Sequence, residues 1–91
     1  MLTQSLGVEF AKRGVRVVGI APGAVETHHM KGLLDGGLAN AQDFKRRTPL
    51  HRLGTFDDVC DAALFLASEA ASYITAEILR VDGGWVAYQL F

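Results

Sequence analysis

The residues best suited to holding a ligand lie in RVVGIAPGAVET, residues 16 to 27, where a β-branched run enters Pro22-Gly23 and ends on Thr27, four residues beyond the glycine. Proline fixes the chain direction and glycine lets the backbone approach closely, so this stretch can offer main-chain groups and a hydroxyl to a polar ligand. His28 and His29 follow at once, and neighbours on an extended chain point to opposite sides, so at most one faces a pocket. With His51 and Cys60 they form no zinc spacing. Lys45, Arg46 and Arg47 could recognise an acidic group, but they read better as the solvated face and last turn of a short helix. Asp82-Gly83-Gly84 hints at phosphate or metal chemistry and reads better as a turn that stops a strand.

The elements that position these residues follow from periodicity. Leu2, Leu6 and Phe10 lie four apart, and Lys12, Arg13 and Gly14 are helix-ending signals, so residues 1 to 14 predict a helix, entered part-way along because apolar periodicity is already running at Leu2. Residues 15 to 21 lack polar alternation, as a strand covered on both faces of a parallel sheet does. Ligands of such sheets bind at the carboxyl ends of the strands, which is where Pro22-Gly23 falls. Residues 22 to 54 hold five glycines and two prolines around a short amphipathic stretch near Leu38 to Arg47, a length that suits a lid or binding loop. A helix capped by Thr55, with Asp57 and Asp58 in its first turn, carries an apolar stripe of Phe56, Val59, Cys60, Ala63, Leu64 and Ala67. Ala62, Phe65 and Leu66 give it a second apolar face. Ile78 to Val81 predicts a second buried strand, parallel to the first by a right-handed crossover.

Composition narrows the function classes. Nine basic against ten acidic residues leave a net charge of −1, with no footprint for nucleic acid or an anionic membrane surface. No apolar run reaches the roughly 18 residues that span a bilayer, and no basic n-region precedes an apolar core. The lone Cys60 builds no disulfide framework, so a cytoplasmic location is expected. Apolar residues make up 49% of a 91-residue chain, more than one thin layer of elements can cover, which predicts a piece of something larger or an obligate oligomer.

Three segments, LTQSLGVEFAKRGVRVVGIAPGAVET, PLHRLGTFDDVCDAALFLAS and SYITAEILRVDGGW, together resemble the C-terminal part of a short-chain dehydrogenase/reductase. The resemblance implies an α/β fold: the C-terminal portion of a Rossmann-type doubly wound parallel sheet, its last two strands with their helices, as one fragment over residues 1–91. It implies an oxidoreductase that uses NAD or NADP and moves hydride between nicotinamide and a small-molecule secondary alcohol or ketone. Pro22 and Gly23 would reach the nicotinamide end of the cofactor, the Val25 backbone would hydrogen-bond its carboxamide, and Thr27 would bond the carboxamide or diphosphate through its hydroxyl. The family's glycine-rich phosphate turn, its catalytic Ser and its Tyr-x-x-x-Lys pair are not in these 91 residues, and neither Tyr73 nor Tyr88 has a lysine four residues on. No catalytic residue is therefore assigned, and the isolated chain is expected to be inactive.

The resemblance further implies a homo-oligomer, dimer or tetramer, with Ala62, Phe65 and Leu66 facing another subunit, so that Leu66→Lys would weaken association. Two departures stand out: Val18 where many members have asparagine, and Ala76-Glu77 where many have Gly-Gln. Trp85, Tyr88 and Phe91 form an aromatic tail that either closes a substrate pocket or packs. The alternative reading is a truncated, non-catalytic oligomerisation module.

Overall fold

The computed structural model describes residues 1–89, arranged in the order α1 (Leu2–Ala11), β1 (Val18–Pro22), α2 (His28–Asp35), α3 (Ala41–Arg47), α4 (Phe56–Ala67), a 3-10 turn (Glu69–Ala71), β2 (Glu77–Val81) and α5 (Trp85–Tyr88). Helix α1 stops before Gly14, whose φ of 74° is left-handed and open to glycine without penalty. The strands run parallel, with Val18 opposite Glu77 and Pro22 opposite Val81, as the long connection between them requires. Strand β2 is not the buried strand expected: Glu77 to Arg80 are exposed, Ile78 by 42%, because β1 is its one neighbour among the described strands.

Alternation along β1 separates two helical layers. Gly19 looks toward Thr3 of α1, whereas Val18 and Ile20 line a cleft with Ala63 and Leu66 of α4. Helix α1 approaches closely because its contact residue is Gly7, where a Cβ would lie 2.6 Å from Ala76. The Leu2, Leu6, Phe10 stripe is not the packed face, and Leu2 stays 73% exposed.

Strand β1 starts at Val18, later than residue 15, because the preceding residues bond elsewhere. The Arg16 guanidinium donates to the carbonyls of Leu66 (2.8 Å), Ser68 (3.3 Å) and Ile74 (3.3 Å), and the Val17 N–H donates to Thr75 Oγ1 at 3.0 Å. Arg16 thereby places a cation over the last turn of α4, where the helix dipole favours it.

At the other end of α4, Thr55 and Asp58 form a reciprocal capping box. Its two apolar faces are not divided as the sequence reading had them: Val59 and Cys60 of the expected core stripe are half-buried, and Phe65 of the second face is 45% exposed. Leu66 is buried and packs inward, so it belongs to this chain's own core with Leu53 and Ala71. Phe56 and Leu64, from the expected core stripe, are each 69% exposed. Seven-residue α3 falls within the expected Leu38 to Arg47 stretch, capped by Asn40, whose side chain accepts from the Gln42 N–H. Trp85 and Tyr88 sit in short helix α5, while Phe91 lies outside the described residues. No helix among the described residues is long and apolar enough to cross a membrane.

Candidate functional site

The carboxyl end of β1 is tied down on one side and open on the other. The Gly23 N–H donates to the Val81 carbonyl at 3.0 Å, holding the tip to β2. Gly54 then bridges the next residues: its N–H donates to the Ala24 carbonyl and its carbonyl accepts from the Glu26 N–H, both at 2.9 Å. Bonds to both neighbours of Val25 turn the Val25 N–H away from Gly54, and it has no partner among the described residues. The Val25 carbonyl accepts from the Thr27 N–H at 2.9 Å in a three-residue turn.

Thr27 has a role the sequence reading missed. Its Oγ1 accepts from the Met30 N–H at 3.2 Å and caps α2. That bond uses an oxygen lone pair and leaves the hydroxyl proton without an acceptor among the described residues. His28 and His29 consequently occupy the first turn of a helix, exposed, and not the extended chain the sequence suggested. A threonine just before an amphipathic run is the start signal that marks α2, masked by Gly32 and the paired histidines.

Gly23 is crowded from within the chain: a Cβ there would meet Asp82 Cβ at 2.8 Å. The close approach that demands glycine is therefore to the end of β2. Pro22 and Gly23 border a cavity of about 320 Å3 that is also lined by Met30, Phe44, Trp85 and Val86. Thr27 borders a neighbouring groove with Glu26, His28, His29 and Phe56.

Phe44 and Trp85 tie α3 to α5, their ring centroids 6.1 Å apart at 41°. Asp82 fixes α5 by accepting from the Gly84 N–H (2.9 Å) and the Val86 N–H (3.1 Å). Partial burial raises the Asp82 pKa, but these two N–H groups and the Arg80 charge outweigh it and hold the carboxyl below its ordinary value. Asp82-Gly83-Gly84 is thus a strand-ending turn that also caps a helix. Thr48, buried in the loop beneath it, donates its hydroxyl to the Phe44 carbonyl at 2.6 Å.

A parallel sheet between helical layers, with a ligand-competent tip at the strand carboxyl ends, defines a portion of a Rossmann-type α/β domain. The chain belongs to the short-chain dehydrogenase/reductase family: residues 1–86 match the family model described as enoyl-(acyl carrier protein) reductase. It is 42% identical over 86 residues to the 2-dehydro-3-deoxy-D-gluconate 5-dehydrogenase of Bacillus subtilis, covering 94% of this chain and 34% of that one. Against the 7alpha-hydroxysteroid dehydrogenase of Escherichia coli K12 the identity is 39% over 85 residues, covering 93% and 32%. The solved structure of ElxO with NADP bound superposes with a TM-score of 0.85 at 34% identity, covering 94% of this chain and 35% of that one. The chain therefore spans about a third of the length of the relatives it matches.

Proposed function

We propose that these 91 residues are the C-terminal part of an NAD(P)-dependent oxidoreductase, in which the β1 tip holds the nicotinamide end of the cofactor. The observation that carries this reading is the pair of unused donors at the tip, the Val25 N–H and the Thr27 hydroxyl proton. Together they fit a carboxamide, whose oxygen accepts hydrogen bonds. Pro22 and Gly23 set the direction of the backbone that carries them.

When bound, NAD(P) supplies or takes up hydride on behalf of a secondary alcohol or ketone. This chain's contribution is orientation: fixing the ring decides which face meets the substrate. The proton-transfer group and the phosphate cradle would come from residues outside these 91, so the chain by itself is expected to give no turnover with NADH or NADPH and a panel of ketones. Turnover by the pure chain would overturn that assignment. The related dehydrogenases are named for a sugar acid and a steroid, which leaves both polar and apolar substrates in play. A cytoplasmic homo-oligomer completes the reading, supported by the lone cysteine and the exposed apolar side chains of α4.

The test is a Thr27 series in the longer enzyme that contains this chain. Thr27→Ser keeps both the cap and the donor and is expected to bind NADPH normally. Thr27→Asp keeps the cap but cannot donate when ionised, and loss of a hydrogen bond to a strongly polar group, about 1.5–3 kcal/mol, should weaken NADPH binding by about tenfold or more. Equal NADPH affinity in both variants would show that Thr27 serves α2 alone.

A further inference from the structure

The Val25 N–H is aimed by a line of two peptide groups. A trans peptide is planar, with its C=O and N–H pointing in opposite directions, so fixing one end fixes the other. The Val25 N–H shares its peptide with the Ala24 carbonyl, which accepts from the Gly54 N–H at 2.9 Å. The Gly54 N–H in turn shares its peptide with the Leu53 carbonyl, which accepts from Arg52 Nη1 at 3.1 Å. A guanidinium thus heads a line that runs through two peptides to an unused donor at the tip. Asp58 holds that head in place, accepting from Arg52 Nη1 at 2.8 Å and from Nη2 at 3.4 Å.

We propose that Arg52 is a positioning residue for the cofactor, which aims and polarises the Val25 N–H through the Leu53–Gly54 and Ala24–Val25 peptides. The proposal rests on the reading of the β1 tip as the nicotinamide end of the site. A cation that donates to the first carbonyl strengthens each donor after it, because hydrogen bonds in a line polarise one another, and more so away from water. Leu53 is buried, so the first peptide lies in such surroundings. The bond from the Gly23 N–H to Val81 ties the other side of the tip, and among the described residues Gly54 is the one backbone tie on the Ala24 carbonyl. The Arg52 side chain is half exposed, so its pair with Asp58 adds little to stability, and its effect falls on the direction and strength of the donor.

The test uses the longer enzyme that contains this chain. It is titrated by calorimetry with NAD+ or NADP+, whichever the unsubstituted enzyme binds, and with the thionicotinamide analogue, whose sulfur is a weak acceptor. The unsubstituted enzyme should bind the oxygen cofactor about fivefold or more tightly than the analogue, the penalty of a donor left unmet. Arg52→Met keeps an apolar stem, removes the donor and should cut that preference to about half or less. Arg52→Lys keeps a charged donor without the fork and should fall between the two. In the cofactor-free, 15N-labelled enzyme, the Gly54 amide proton should move upfield in Arg52→Met as its hydrogen bond weakens. A merely structural Arg52 would lower the urea midpoint and leave both the preference and the Gly54 resonance unchanged, which would overturn the proposal. No preference in the unsubstituted enzyme overturns the reading of the tip and this proposal with it. A preference that survives intact in Arg52→Met overturns this proposal alone.

Discussion

Ala76 holds a φ of 60°, a conformation that costs a residue with a Cβ about 1–2 kcal/mol. Its substitution for the family's usual glycine is legible in the sequence, but the strain is not, because a residue type does not state its φ. Ala76→Gly is expected to raise stability by about 0.5–1 kcal/mol, the relief of strain exceeding glycine's extra freedom in the unfolded chain. A urea midpoint that stays put or falls would refute the strain. The facing residue answers in the opposite direction. Gly7→Ala would press a methyl into Ala76, whose backbone cannot yield as a flexible side chain can, and should destabilise by about 1–3 kcal/mol. Thr27 illustrates the same limit of legibility: the sequence offers its hydroxyl only as a candidate ligand contact, and its cap on α2 depends on the turn that follows.

Helix α4 was the plainest element in the sequence, and its cap and acidic first turn stand as read. The inward face was not legible, because both of its faces are apolar and only the position of the sheet chooses between them. The two ends of this helix give separate predictions. Arg16→Ala leaves the carbonyls of Leu66, Ser68 and Ile74 without their donor and should cost about 1.5–3 kcal/mol in chemical denaturation, with Arg16→Lys only partly restoring it, since an ammonium lacks the planar fork. At the amino end, the Arg52 side chain, donating at 2.8 Å, and the Thr55 N–H hold the Asp58 carboxyl well below the usual carboxylate range. A carboxyl whose folded pKa is depressed stabilises the fold above its unfolded pKa of about 3.9, and that contribution is lost as pH falls through the folded value. Stability of the parent chain should therefore drop below about pH 4, and Asp58→Asn should flatten the drop; an unchanged acid profile in that variant would remove Asp58 from the account.

On the scale of the whole molecule, much apolar surface is left uncovered. The accessible surface is 6749 Å2, against about 5200 Å2 for a folded monomer of this mass, and the radius of gyration is 15.7 Å against about 12 Å. Apolar side chains contribute to this excess, Leu2, Leu38, Phe56 and Leu64 among them, each more than half exposed. The chain is expected to associate through the outer face of α4, where Phe56 and Leu64 stand exposed, and Leu64→Lys should lower the sedimenting mass across a dilution series. Leu66→Lys belongs to a different experiment, because a charge buried at that position should unfold the chain before it separates any subunits. A cooperatively folding monomer at micromolar concentration would refute association. The parallel pairing of β1 with β2 also sets a clock on synthesis. Val17 and the Thr75 that receives its N–H are 58 residues apart, so at about 5–20 residues per second a ribosome delivers the partner roughly 3–12 seconds after β1 has emerged. During that interval the edge of β1 that β2 will occupy is unpaired, an open template of the kind a ribosome-associated chaperone would shield.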